Sequence, residues 1–282
     1  MSQEAPQAAS KWGDLGVRAL SAAVLIPAVL ADVWAGGIWF HLFVALIGIL
    51  MALEWVTIVH GGNPLQFALH AAGAMCGALL LKDVGLAGTL TAIAILALFS
   101  ALAAAREQPG GPAWRYLGVP YVSLPPLALI VLRDDPDYGV AAILLVMLSV
   151  WAADTLAYFA GRIIGGPKLA PRISPKKTWA GMGGAMAGSA LAAFGVGAVM
   201  GLPALWILVL AGGLLAIVEQ GGDLFKSAMK RYYGVKDSGR LIPGHGGVID
   251  RVDGLVAVAA AAALIGALRA GVEHAGAGIL VW

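Results

Sequence analysis

Residues 180–201 read AGMGGAMAGSALAAFGVGAVMG, a run with no charged side chain and mostly glycine and alanine. Its length matches the roughly 20 apolar residues that cross a bilayer. Small side chains let helices approach closely in lipid, where packing rather than escape from water holds them together. The stretch therefore predicts a tightly packed helical bundle in a membrane. It points to no particular chemistry.

The rest of the chain extends that reading. Its 282 residues are 60% hydrophobic and 12% charged, with a mean hydropathy of +0.86. Soluble domains carry about 25% charged residues, so this chain lacks the polar surface to face water all round. Apolar runs predict an all-α polytopic membrane protein with nine spans, near 17–35, 38–59, 65–82, 84–104, 116–133, 139–160, 179–200, 202–222 and 254–270. A polar tail over 1–16 precedes them. The first apolar run has a long polar lead-in and no small-x-small site before a polar mature domain, which favours a retained helix over a signal peptide. The single cysteine, Cys76, excludes an intramolecular disulfide and any CxxC or Cys/His zinc site.

The net charge of +2 says little, but its placement is informative. Alternating spans put 15 of the 18 Lys and Arg residues on one side and only Lys82, Arg133 and Arg269 on the other. The positive-inside rule then predicts a cytoplasmic N-terminus. Two polar segments, 161–178 and 219–253, fall on the cytoplasmic side and hold 11 of the 18 basic residues. They divide the chain into N-terminal spans over 17–138 and a C-terminal region over 139–282 where the polar chemistry gathers.

Four clusters in that region could carry chemistry. If the eighth span continues as a helix past Gly222, then Asp223, Ser227 and Lys230 share one face at i, i+4 and i+7. An acid, a hydroxyl and an amine on one stripe suit a metal and a phosphate; an ion-paired helix end explains them equally well. The loop LIPGHGGVIDRVDG, 241–254, sets His245 among Gly244, Gly246 and Gly247 and brackets Arg251 with Asp250 and Asp253. Glycines let backbone approach a ligand, carboxylates with substrate phosphates hold hard cations, and arginine grips phosphate bidentately. A capped helix start would account for one of the acids but not for His245 and Arg251 too. SPKKTWAG, 174–181, reads as a turn and helix start with Lys176 and Lys177 placed for a phosphate, although membrane anchoring explains them as simply. Asp154 lies within the sixth span, with Tyr158 and Gly161 or Arg162 on the same face. An ionisable group there normally meets a cavity, partner or ion. Glu54 raises the same question nearer the interface. His60, His70 and His274 lack ligand spacing and read as packing or interfacial residues.

The segment SAMKRYYGVKDSGRLIPGHGGVIDRVD, 227–253, resembles the full signature of phosphatidate cytidylyltransferases, the CDP-diacylglycerol synthases. QGGDL, WAADTLAYFAGRIIG and SPKKTWAG resemble further family segments, so the likeness covers roughly residues 145–270. The N-terminal half is similar only in hydropathy. One departure stands out: Ala180 occupies the place where the family commonly has Glu. The resemblance implies transfer of the cytidylyl group from CTP to phosphatidate with release of pyrophosphate, a requirement for Mg²⁺, a homodimer, and a site open to cytosol and lipid. It implies Asp223 and Asp250 as metal ligands and leaves room for a monovalent companion such as K⁺.

On that reading Lys230, Arg231 and Arg251 are candidates for gripping triphosphate or lipid phosphate. Asp223, Asp250, Lys230 and Arg251 form the expected catalytic set. Ser227, Arg231, Lys236, His245, Gly246, Gly247, Asp253, Lys176, Lys177 and Asp154 are expected to contact substrate. The compact length favours a bacterial inner membrane, and the short, tethered basic loops do not make a nucleic-acid surface. Two rivals stand beside this reading. An ion-coupled transporter would use Asp154 and Glu54, but the polar residues cluster on one side and no paired interrupted spans are visible. A CDP-alcohol phosphotransferase needs a compact Asp-Gly-x2-Ala-Arg motif that DRVDG does not complete.

Overall fold

The computed structural model describes residues 11–239, 241 and 246–282. His245 and the other residues of 242–245 lie outside the described residues, as does the 1–10 part of the expected tail. The chain forms nine α-helices and one two-stranded hairpin among the described residues: α1 Lys11–Ala35, α2 Gly37–His60, α3 Pro64–Glu107, α4 Trp114–Arg133, α5 Gly139–Ile163, β1 Lys168–Ala170, β2 Ser174–Thr178, α6 Trp179–Val199, α7 Leu205–Tyr232, α8 Ile249–Ala270 and the short α9 Ala275–Leu280. Seven of them, α2 to α8, are long and apolar enough to cross a membrane.

Two expected spans, 65–82 and 84–104, fall within the 44-residue α3. Straight, α3 would run about 66 Å. Gly85 breaks it, with φ 68° and ψ −178°, a conformation open to glycine and strained for other residues. The two halves fold back on each other: Ser100 Oγ donates to Gln66 Oε1 at 2.6 Å, and Gln66 Nε2 donates to the Ser100 carbonyl at 3.1 Å. Asn63 Nδ2 likewise reaches Glu107 Oε1 at 2.9 Å, bringing both ends of α3 to the same side of the bundle.

The glycine-rich run that opened the sequence forms α6 and packs on α5 and α7. Along α6, Gly181, Gly184 and Gly188 face the backbone of α5. A Cβ on Gly184 would stand 2.5 Å from the Leu156 carbonyl oxygen, and one on Gly188 2.3 Å from that of Ala152. On the other side Ser189 Oγ donates to the Gly212 carbonyl of α7 at 2.6 Å. Small residues thus bring three backbones together and give the acidic stretch of α7 a rigid support.

SPKKT is strand β2 of an antiparallel hairpin, not a helix start as expected. Pro175 supplies no N–H and excludes α geometry at the preceding residue. The helix begins only at Thr178, whose Oγ1 accepts from the Gly181 N–H at 3.0 Å as the N-cap.

The charged residues sort to the two ends of the bundle. At the far end, Arg133 Nε donates to the Val33 carbonyl at 2.6 Å, and Arg269 Nη1 donates to the carbonyls of Gly278 and Val281. Asp135, 2% exposed, accepts from the N–H groups of Asp137, Tyr138 and Ala277. The C-terminus of α7, the N-terminus of α8, the hairpin and the C-terminus of α2 meet at the other end.

Candidate active site

At that second end α7 carries its acids and amines just beyond two glycines. Gly222 lets α8 approach, since a Cβ there would stand 2.9 Å from the Asp253 carbonyl oxygen and 2.7 Å from Ala257 Cβ. Asp223, Lys226, Ser227 and Lys230 follow at helical spacing and face the first turn of α8, where Asp250 and Asp253 lie one turn apart.

Lys226 is the hub. Its side chain is 7% exposed, and its Nζ lies 3.1 Å from Asp223 Oδ1 and 3.6 Å from Asp250 Oδ1, and pairs closely with Asp253 Oδ2. Lys177 reaches in from β2, its Nζ 2.6 Å from Asp223 Oδ2 and 2.6 Å from Gln220 Oε1. Lys230 Nζ lies 2.5 Å from Asp250 Oδ1. Asp250 Oδ2 accepts from both the N–H and the hydroxyl of Ser238, at 2.8 and 2.7 Å. Ser227 Oγ sits 3.4 Å from Asp223 Oδ1. Three carboxylates and three ammonium groups therefore interlock at one end of a mostly apolar bundle. Removing charge from water costs several kcal/mol per ion in such a place unless each ion is paired, and here each one is.

Glu54 has a different task from the ion-binding one its position in a span suggested. Its carboxylate is 3% exposed and accepts from the N–H groups of Val248 and Ile249 at 2.7 and 2.9 Å. It is a remote cap for α8, supplied by α2, and matches negative charge to the positive helix start. Room for it comes from glycine. A Cβ on Gly239 or on Gly247 would stand 2.6 or 2.7 Å from a Glu54 oxygen. Gly247, expected to admit a ligand, thus admits Glu54. Gly246 keeps a positive φ of 85°.

Beside the cluster lies a polar cavity of about 440 Å³ lined by Asp154, Tyr158, Arg162, Lys176, Lys177 and Asp223 among others. Asp154 opens into this cavity together with Tyr158, Gly161 and Arg162, the face that helical spacing predicted. Arg162 Nη1 donates to the Tyr158 hydroxyl at 2.8 Å.

The structure therefore brings together Asp154, Lys176, Lys177, Asp223, Ser227, Lys230, Asp250 and Asp253. Arg231 and Lys236 are exposed on the last turn of α7 and the loop after it, and Arg251 is exposed on the first turn of α8. Sequence reasoning passed over Lys226, Gln220, Glu219 and Ser238. Lys226 stands at i+3 from Asp223 and shares its face, a signal that was available. Buried Glu219 accepts from Gln220 Nε2 at 2.7 Å and packs where Gly254 leaves space. Ser238 meets Asp250 only in the tertiary structure, twelve positions along the chain.

Asp223, Asp250 and Asp253 form an oxygen-rich set that already encloses one cation, the Lys226 ammonium. Among the described residues no three acids or histidines stand at metal-ligand spacing. The chemistry of the donor set nevertheless fits a hard cation, which favours carboxylate oxygens.

Residues 16–268 match the Cytidylyltransferase family. That match reaches well into the N-terminal half, where the sequence motifs alone gave only hydropathy. A phosphatidate cytidylyltransferase of Brucella abortus is 40% identical over 260 residues, covering 91% of this chain and 95% of the relative. A protein of the same name from Pseudomonas aeruginosa is 38% identical over 253 residues, 85% of this chain and 92% of that one. One from Staphylococcus epidermidis is 32% identical over 254 residues, 86% and 95% of the two chains. With a clustered acid–amine site at one end of its helical bundle and likeness along nearly its whole length, the chain belongs to the cytidylyltransferase family.

Proposed function

We propose that the protein is a phosphatidate cytidylyltransferase, converting CTP and phosphatidate to CDP-diacylglycerol and pyrophosphate in phospholipid synthesis. Family membership supports the reaction class, and the names of the relatives supply the substrates. The observation that carries the reading is the interlocked cluster of Asp223, Asp250 and Asp253 with Lys177, Lys226 and Lys230, next to a polar cavity. Two anionic substrates must meet there, and exchangeable ion pairs are what such a meeting requires.

In the reaction a phosphate oxygen of phosphatidate forms a bond to the α-phosphorus of CTP, and the bond from that phosphorus to the β-bridging oxygen breaks. Pyrophosphate carries away the electron pair. No covalent enzyme intermediate is needed, so the protein's task is positioning and charge neutralisation. Lys177 and Lys230 can exchange their carboxylate partners for phosphate oxygens. Lys176 and Arg162 line the cavity and add positive charge there, and Arg251, Arg231 and Lys236 offer exposed positive charge on α8, α7 and the loop after α7. Asp154 holds the cavity's inner wall. Asp223 and Asp250 would hold Mg²⁺, with Asp253 beside them; the ion would supply charge neutralisation at the phosphates. A monovalent ion such as K⁺ is a second candidate for the same oxygen-rich set.

We further read the bundle as nine spans, counting α1 and both halves of α3 with the six other long helices. The N-terminus and the site then face the cytoplasm of a bacterial inner membrane, and the catalytic half is 139–282. The concentration of basic residues at the site end supports that orientation, and a homodimer is the expected assembly. The transporter alternative loses its acids: Glu54 is spent as a helix cap, and Asp154 belongs to the same cavity as Lys177.

The test is Asp250→Asn in detergent-purified protein, with pyrophosphate release measured in the presence of CTP, phosphatidate and Mg²⁺. Turnover is expected to fall on the order of a hundredfold or more, while the protein still purifies and unfolds cooperatively. Near-normal turnover would overturn the assignment.

A further inference from the structure

Two buried polar residues of α7 stand just outside the ion cluster. Glu219 and Gln220 are 2% and 4% exposed and lie one turn before Asp223, in a helix long and apolar enough to cross a membrane. Around that turn Gln220 and Asp223 line the polar cavity, while Gly221 and Gly222 line a second cavity of about 440 Å³ between α7, α4 and α8. Helix α8 makes the room for Glu219. A Cβ on Gly254 would stand 2.8 Å from Glu219 Cγ and 3.0 Å from its Oε1. An ionisable group in such a place is costly, and a glycine inside the neighbouring helix weakens that helix as well. Two apolar side chains would fill the same space without either penalty.

The hydrogen bonds of the pair run in one direction. Lys177 Nζ donates to Gln220 Oε1 at 2.6 Å, and Gln220 Nε2 donates to Glu219 Oε2 at 2.7 Å. An ammonium group only donates, and a carboxyl group offers an acceptor oxygen whether or not it carries a proton. The Gln220 amide is therefore fixed from both sides, with its oxygen toward Lys177. Beyond it, the side chain of Asp154 from α5 meets that of Glu219. Lys177 thus has two kinds of partner. Asp223, 2.6 Å away, is an ion that another cation can claim. Gln220 is neutral, buried and tied to Glu219, so a cation that takes Asp223 leaves it in place.

We propose that Glu219 and Gln220 are positioning residues for the transfer reaction, holding the Lys177 ammonium at the cavity wall while Asp223 changes partners. The proposal rests on the cytidylyltransferase reading and adds how a lysine carried on a hairpin keeps its place when its ionic partner is claimed. A lysine side chain has many rotamers to lose on being ordered. Without the amide, Lys177 would swing free of the phosphates at the step that needs its charge.

The experiment measures pyrophosphate release from CTP and phosphatidate, and thermal unfolding without ligands, with the full-length protein in detergent. Gln220→Leu is expected to lower kcat roughly tenfold. Lys177→Met should cost at least as much, and the double variant should stay within about twofold of Lys177→Met alone. Glu219→Met should match Gln220→Leu, whereas Glu219→Gln retains an acceptor oxygen and should stay within about threefold of wild type. Gln220→Leu and Glu219→Met should melt no lower than wild type, because each places an apolar side chain in an apolar bundle. A fall in melting temperature that parallels the loss of kcat would make the pair a structural prop and overturn the proposal. So would additive losses in Gln220→Leu and Lys177→Met, or a Glu219→Gln variant as slow as Glu219→Met. Wild-type protein that releases no pyrophosphate from the two substrates would instead defeat the reaction itself, and this role with it.

Discussion

The two ends of the bundle put their ionisable residues to opposite purposes. At the far end, Arg133, Arg269 and Asp135 bind backbone: carbonyls of Val33, Gly278 and Val281 for the arginines, and three N–H groups for the aspartate. At the site end, Lys177, Lys226 and Lys230 bind Asp223, Asp250 and Asp253. A backbone partner cannot leave without unwinding a helix end, so the far end is a latch. A side-chain ion can be traded for another of the same sign. Carboxylates that hold ammonium groups can accept a metal, and ammonium groups that hold carboxylates can accept phosphates. Glu54 is the instructive exception, a latch placed within the exchangeable end: it fixes the start of α8 and so the positions of Asp250 and Asp253.

The largest effect is expected from Lys226→Met, which leaves three carboxylates without their common partner. Breaking a buried ion cluster in this way costs about 3–5 kcal/mol, and turnover should be lost. A divalent cation can replace the missing charge, so Mg²⁺ should raise the melting temperature of the variant more than that of wild type. Equal shifts in the two proteins would show that the acids do not form a cation site.

Glu54→Gln should come next. The amide turns a donor toward the Val248 and Ile249 N–H groups and leaves one unsatisfied, at a cost of about 1–3 kcal/mol. Displacement of Asp250 and Asp253 is expected to lower kcat roughly tenfold to a hundredfold, with cytidylyl transfer measured at a temperature where the variant remains folded. If kcat is unchanged, the cap is a stability device alone.

Asp135→Asn gives the smallest change in activity. Losing one of three backbone donors should lower stability by about 1–3 kcal/mol while kcat and both KM values stay at wild-type levels. A change in kcat here would break the division between the two ends.

Much of this architecture was readable in the chain. The apolar runs gave the helices because a bilayer admits little else, and most of their ends shifted by only a few residues. Helix α7 runs ten residues past 222, because its polar last turns stay helical outside the apolar stretch. Spacing on one helix placed Asp223, Ser227 and Lys230 together, and it aligned Asp154 with Tyr158 and Arg162. Hydropathy could not separate a kinked α3 from two distinct spans, since Gly85 alone marks the break. Ser174-Pro175 also reads locally as a turn and helix start, although the segment forms strand β2, where Pro175 disfavours α geometry at the residue before it.

By itself, then, the sequence determined the membrane class, the order of the helices, the polar end of the bundle and most of the acids and amines that meet there. Periodicity and charge placement are local properties, and they survive in any packing of the helices. The tertiary structure decided which charges pair: that Lys226 is the hub, that Lys177 arrives from a hairpin, that Glu54 caps a helix nearly two hundred residues away, and that two cavities flank α7. Those relations depend on how far small residues let backbones approach. Gly184 and Gly188 against α5, Gly222 against α8, and Gly239 and Gly247 around Glu54 set that distance, and a glycine does not announce its neighbour.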